Sequence, residues 1–196
     1  DGSRIELNTN TVLRARMTSN ERVVWLDRGE AYFEIKHDAA HPFVVMVGDH
    51  RVTDLGTKFR VRRDSGRLQV AVVQGRVTFD TPDTRKLSPL AVLTPGDVAV
   101  ATAKNISVTH QSVQALTNEL SWRQGVLVFD HTTLGEAAAE FNRYNSDKLV
   151  IADAAIARRM IGGTFPTDNL EAFIGVTQDL LGLHVERRGH EIVITR

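Results

Sequence analysis

The chain has 196 residues, enough for one large or two small domains with real cores, and 42% of them are hydrophobic, as in ordinary globular proteins. Lysine and arginine (24) balance aspartate and glutamate (24), so no net field draws nucleic acid or an anionic membrane to the molecule. The lack of cysteine excludes disulfides, thiolate metal sites and cysteine catalysis together, and no apolar run approaches the ~20 residues that a spanning helix needs.

From residue 1 to about 109 the sequence reads as strand and turn. Short runs over 5–7, 12–17, 23–26, 31–35, 43–47, 52–54, 59–62, 68–73, 77–79, 98–101 and 106–108 are separated by turn signals such as Asp27-Arg28-Gly29, Gly48-Asp49 and Thr94-Pro95-Gly96. One phrase recurs: a strand meets a glycine, and a second strand leaves it with alternating residues. After Gly56 the alternation sets Phe59 and Val61 on a dry side and Lys58, Arg60 and Arg62 on a wet one. Related phrases surround Gly29, Gly75, Gly96 and Gly125 without a fixed period. These features predict an all-β domain over 1–109, a jelly roll, sandwich or irregular β-solenoid. Residues 81–89, polar with two prolines, read as an exposed loop, and the basic run Arg60, Arg62, Arg63 as a solvated sheet face. The abrupt opening Asp1-Gly2-Ser3-Arg4 reads as the inside of a β-meander, so we expect a longer protein continuing upstream.

Val113, Leu116 and Leu120 fall at helical spacing and predict a short connector over 110–121. Beyond Trp122 a strand over 126–129 leads to Thr133-Leu134-Gly135-Glu136, the spacing of a capping box. The helix that follows has the apolar stripe Leu134, Ala137, Ala138, Phe141 and Tyr144. A strand over 149–151 comes next, and then a second copy: a strand over 160–165, a cap at Asp168 and a helix turning Leu170, Phe173, Ile174, Thr177, Leu180 and Leu181 inward. Gly182 stands where a C-cap glycine belongs, and strands over 183–186 and 191–195 finish the chain. The order βαβ–βαββ predicts a small α/β module over 122–196, giving an α+β protein overall.

Little in the chain points to turnover chemistry. His37 and His41 have a spacing that binds zinc on a helix, but Pro42 and the adjacent strands favour a turn there. Ser3, Ser65, Ser88 and Ser121 lack a nucleophile-elbow context, and Gly162-Gly163 lacks the Lys-Ser/Thr of a P-loop. No cofactor or metal site is expected. Strand edges suit recognition of another polypeptide by β-augmentation, and the edge candidates are Ile161, Gly163 and Phe165 in one strand and Ile192 and Ile194 in the last. A small-ligand or glycan-binding β-domain is the alternative, for which only Trp25, Trp122, Tyr32 and Tyr144 could supply a stacking platform.

Several motifs together carry a family likeness. Leu26-x-x-Gly29-Glu30-Ala31-x-Phe33-x-Ile35, Pro42-Phe43-x-Val45, Leu55-Gly56-Thr57-x-Phe59-x-Val61 and Val73-x-Gly75-x-Val77 resemble the FecR-type domain, the periplasmic sensor part of membrane-anchored sigma-factor regulators (anti-sigma factors). Trp122-x-x-Gly125-x-Leu127-x-Phe129, Asn142-Arg143-Tyr144 and Gly163-x-Phe165 are similar to the STN module (secretin and TonB N-terminus). The resemblance implies the periplasmic domain of a single-pass inner-membrane protein, anchored by an N-terminal helix outside these residues. It implies as partners the signalling domain of a TonB-dependent outer-membrane siderophore or heme transporter and, through a cytoplasmic segment also outside these residues, an ECF sigma factor. Some relatives cleave themselves at a Gly-Thr bond that corresponds to Gly56–Thr57, where the Thr57 hydroxyl would attack the Gly56 carbonyl and Asp54 is the nearest candidate base.

Overall fold

A computed structural model of the chain describes residues 1–54, 56–64, 66–81 and 89–196. The structure is mostly β and divides into two compact units, Asp1–Leu116 and Thr117–Arg196.

The first unit is a nearly closed sheet. Its strands are β1 (Arg4–Leu7), β2 (Val12–Met17), β3 (Arg22–Glu34), β4 (Phe43–Val47), β5 (His50–Asp54), β6 (Lys58–Asp64), β7 (Arg67–Gln74), β8 (Val77–Asp80), β9 (Ala91–Leu93), β10 (Asp97–Thr102) and β11 (Ile106–His110). They lie in the order β11-β10-β7-β6-β3-β4-β5-β8-β9, with β1 and β2 also pairing to β3. β3 organises this arrangement. Its first half lies between β2 and β4, the latter parallel to it, and its second half lies between β1 and β6. The turn expected at Asp27-Arg28-Gly29, dividing two strands, is absent, and β3 runs through it as one continuous strand. Gly29 has a φ of +89°, and a Cβ built on it would fall 2.6 Å from the Thr11 Cα. The glycine therefore serves a close backbone approach and a change of direction inside a strand.

Alternation fills the core. Phe43, Val45 and Val47 point inward from β4 while Val44 and Met46 are half-exposed. Phe33, Phe43, Phe59 and Phe79 are fully buried, with Phe33 stacked on Phe59 at 4.9 Å between centroids. The expected wet side of β6 is only partly wet. Arg60 is buried, 3.7 Å from the buried Glu30 carboxylate of β3, which also accepts a hydrogen bond from Asn8 at 2.9 Å. The period of two placed Arg60 opposite Phe59 correctly, but the surrounding chain covers that second face and a paired charge sits in it. β9 went unforeseen because three residues show no usable period. The expected loop at 81–89 falls largely on residues 82–88, outside the described residues.

Helix α1 (Val113–Glu119) crosses the division between the units. The second unit opens with a 3-10 turn, Ser121–Gln124. It continues with β12 (Val126–Thr133), α2 (Leu134–Tyr144), β13 (Lys148–Ile151), α3 (Ala154–Ala157), β14 (Met160–Pro166), α4 (Leu170–Leu181), β15 (His184–Arg188) and β16 (Glu191–Thr195). β12 pairs with β14, and β16 lies between β13 and β15. The capping box of α2 is present: Thr133 Oγ1 accepts from Glu136 N at 3.2 Å, and Glu136 Oε2 accepts from Thr133 N at 3.0 Å. At α4 the cap is Asn169 rather than Asp168, its side chain accepting from Ala172 N at 3.0 Å, and Gly182 closes the helix in the left-handed conformation. Leu180, expected inward, is 77% exposed, whereas Leu181 beside it packs against the core. That core centres on Phe129, Phe141, Phe165 and Phe173, whose centroids lie 4.6 to 6.2 Å apart. Ile192 and Ile194 of β16 and Leu149 of β13 pack into the same cluster.

Candidate functional site

Two features of the sequence reading acquire a geometry, one in each unit. In the first unit, β5 ends at Asp54 and β6 begins at Lys58, so the connection between them carries Gly56 and Thr57. Asp54 is completely buried, held between β4 and β8 opposite Phe43 and Val77. Its two carboxylate oxygens fold back on the connection. Oδ1 accepts from Gly56 N at 2.9 Å and from the Thr57 hydroxyl; Oδ2 accepts from Thr57 N at 3.2 Å. Asp54, proposed as a base only for its nearness in sequence, thus touches both the hydroxyl and the amide nitrogen of Thr57. Such a base–nucleophile contact is the arrangement that activates a hydroxyl.

The backbone here depends on glycine. Gly56 has a φ of +149° and Gly75 one of +87°. A Cβ on Gly75 would lie 2.2 Å from Thr57 Cγ2 and 3.1 Å from the Gly56 carbonyl oxygen, so Gly75 leaves the room in which Thr57 sits. On the other side, a Cβ on Gly56 would lie 2.7 Å from His37 Cβ and 2.9 Å from His37 Nδ1. His37 and Gly75 were not foreseen, since only the pairing of distant strands brings them to this bond. Two open clefts flank it. One, of about 420 Å³, is lined by Gly2, Arg4, Lys36, Thr57 and Gln74 among others. The second, of about 570 Å³, is lined by His37, Thr53, Gly56, Gly75, Arg76 and Thr94 among others. Thr57 itself is only 4% exposed.

In the second unit the question is which strand edge is open. β16 is not: it is paired to β13 on one side and β15 on the other, so Ile192 and Ile194, proposed as edge residues, have their backbones engaged and their side chains in the core. A terminal strand in sequence is here the central strand in space. β15 is an edge but carries exposed Glu186, Arg187 and Arg188, charges of the kind that guard an edge. On β12 two of the outward groups are taken, because Ser121 Oγ donates to Val126 O at 2.9 Å and accepts from Val128 N at 3.1 Å.

That contact fixes the parity of the ribbon. In an antiparallel pair the N–H and C=O of one residue point to the same side and those of the next to the opposite side. If Val126 and Val128 face outward, Leu127 and Phe129 face β14, where their partners are Phe165 and Gly163. The outward groups of β14 are therefore those of Gly162 and Thr164, both exposed. Ile161, Gly163 and Phe165 lie on the same strand at the other parity: their backbones face β12, and Ile161 and Phe165 are 6% exposed. Among the described residues β14 pairs with β12 alone.

Residues 1–78 match the FecR protein family. The matched segment contains Asp54, Gly56, Thr57 and Gly75, while β14 lies beyond it. The whole chain is similar to a candidate anti-sigma factor from Parabacteroides distasonis, in crystal structures at 1.65 Å and 2.50 Å resolution. Both are 26% identical and superpose with TM-scores of 0.78 and 0.76, covering 100% of this chain and 91% of the other. No curated protein matches the chain. The FecR match covers residues 1–78 of the 196, and the structural likeness extends over the whole chain. Among the described residues, no helix is long and apolar enough to cross a membrane.

Proposed function

We propose that the chain is the signal-receiving part of a sigma-factor regulator, and that it takes a strand of its partner on the open edge of β14. The FecR match and the anti-sigma likeness support the regulator role. The partner is the signalling domain of a TonB-dependent outer-membrane transporter of siderophore or heme, met in the periplasm, and the signal passes to an ECF sigma factor through a cytoplasmic segment beyond these residues. The second unit acts as an STN-like module. The observation that carries the binding mode is the outward pair Gly162 and Thr164, whose amides and carbonyls lie beside two glycines with no side chain to obstruct an incoming strand. Titrating the 196-residue chain with such a signalling domain tests it. Thr164→Pro removes one outward N–H while leaving the β12 ladder intact, and should weaken binding at least tenfold with unchanged circular dichroism. Undiminished binding would rule out this edge.

We further infer a single self-processing event at Gly56–Thr57, favoured by the contact of Asp54 with the Thr57 hydroxyl. The hydroxyl oxygen attacks the Gly56 carbonyl carbon through a five-membered ring, and its proton goes to Asp54. The carbon–nitrogen bond breaks as Asp54 returns that proton to the Thr57 nitrogen, which its other oxygen already contacts at 3.2 Å. The product is an ester from Gly56 to Thr57 Oγ1 and a free Thr57 amine, and water then cleaves the ester. Intact-mass spectrometry tests this: Thr57→Ala should abolish fragments that the parent chain and Thr57→Ser both give.

A further inference from the structure

Resting on that second reading, we propose that His37 is the base that hydrolyses the ester, so that the two halves of the reaction use two different residues.

Asp54 is well placed for the first half and badly placed for the second. Both of its oxygens are occupied, Oδ1 by Gly56 N and the Thr57 hydroxyl, and Oδ2 by Thr57 N. It is completely buried, so no bulk water reaches it. The shift worsens its position as a base, because it turns the Thr57 nitrogen into an amine, an ammonium once it takes a proton, lying against the same carboxylate. A charge-assisted hydrogen bond of that kind holds the carboxylate in place. Hydrolysis needs a second group, open to solvent, that lies one water away from the acyl group.

His37 meets that requirement. It is exposed, it lines the cleft of about 570 Å³ together with Gly56, and that cleft is open to water. Its Nδ1 lies 2.9 Å from the position a Gly56 Cβ would take, hence within roughly 4.5 Å of the Gly56 Cα, one carbon–carbon bond farther. That spacing suits one water between the imidazole and the acyl group, the reach expected of a general base. The missing side chain at Gly56 makes the approach open: any Cβ there would fall on His37. In the step itself, the water oxygen bonds to the Gly56 carbonyl carbon and its proton passes to His37. The carbon–Oγ1 bond then breaks, and His37 returns the proton to Thr57 Oγ1. Gly56 leaves as a carboxylic acid, which gives up its remaining proton to solvent, and Thr57 as a new N-terminus, with no oxidant or further reactant needed.

The test separates the two steps. Hydroxylamine cleaves an ester but leaves an amide, so it reveals shifted chain that has not been hydrolysed. Freshly purified parent chain, His37→Ala and His37→Gln are followed by intact-mass spectrometry with and without hydroxylamine. Both variants should accumulate full-length chain that hydroxylamine splits at Gly56–Thr57, their spontaneous hydrolysis slowed about 100-fold, the usual worth of a general base. Added imidazole should restore hydrolysis in His37→Ala. Hydrolysis at the parent rate in both variants would overturn the role of His37 while leaving self-processing intact. Variants with neither ester nor fragments would also overturn it, by placing His37 in the first step. A parent chain with neither would overturn the self-processing reading and this inference with it.

Discussion

The contact between Gly75 and Thr57 gives a quantitative prediction, because the same substitution elsewhere in the unit supplies its control. Gly75→Ala carries two costs. An L-residue at a φ of +87° costs about 1–2 kcal/mol. The new methyl would also stand 2.2 Å from Thr57 Cγ2, against the ~3.5–4.0 Å of a normal carbon contact, and such overpacking costs about 1–3 kcal/mol. Gly66, with a φ of +77° and nothing within 4 Å of its would-be Cβ, carries only the first cost. Gly75→Ala should therefore destabilise the first unit by about 2–5 kcal/mol and Gly66→Ala by about 1–2 kcal/mol. Thr57→Ser removes the offending methyl but keeps the hydroxyl, so it should recover about 1–3 kcal/mol of the Gly75→Ala cost in the double variant. The assay is urea unfolding in a Trp122→Phe background, where Trp25 reports on the first unit alone, with mass spectrometry confirming the same covalent state throughout. Equal losses from Gly75→Ala and Gly66→Ala, or no recovery with Thr57→Ser, would refute the packing argument.

Two further predictions concern single side chains. His50 stacks on Phe79 at 5.2 Å, and burial lowers its pKa from 6.5 against a smaller opposing effect of Asp49. The unfolded chain then binds the proton more readily, so stability is complete above pH 6.5 and falls as the pH drops from there toward the folded-state value; His50→Gln should flatten that part of a stability–pH curve. Phe173 is fully buried among Phe129, Phe141 and Phe165, and Phe173→Ala should cost the second unit about 3–5 kcal/mol, read from Trp122 fluorescence in a Trp25→Phe background.

Local rules were legible where one period governs a segment. The stripe of α2, its Thr133 capping box and the glycine end of α4 could all be read from spacing, since each depends on residues within one or two helical turns. The candidate bond came from the family resemblance, and nearness in sequence supplied only Asp54 as its base. Facts set by strand order were not legible. Nothing in the sequence announces that β16 is central, that Ser121 bonds to Val126 and Val128 on the outer side of β12, or that His37 comes to rest on Gly56. Parity shows the difference most sharply: Ile161, Gly163 and Phe165 are on the strand the sequence singled out. Yet only the register with β12 assigns their backbones inward and those of Gly162 and Thr164 outward. A one-residue step reverses the assignment, and composition is blind to it.

The topology also limits what a cut at Gly56–Thr57 can do. Residues before the bond supply β1 to β5, and residues after it supply β6 onward, but the two sets are interleaved. β3 is paired to β6 along Gly29–Glu34, β5 is paired to β8, and Ile35 N donates to the Thr57 carbonyl at 3.0 Å. Phe33 of the first set stacks on Phe59 of the second inside one core. Cleavage therefore severs the chain and leaves the sheet, and the two pieces stay together until strands are parted. Parting β3 from β6 means breaking a ladder of hydrogen bonds, each worth about 0.5–1.5 kcal/mol, and exposing a shared core; no covalent bond then stands in the way. Processing at this position would replace a covalent link by hydrogen bonds and packing alone, so that separating the strands would separate the pieces.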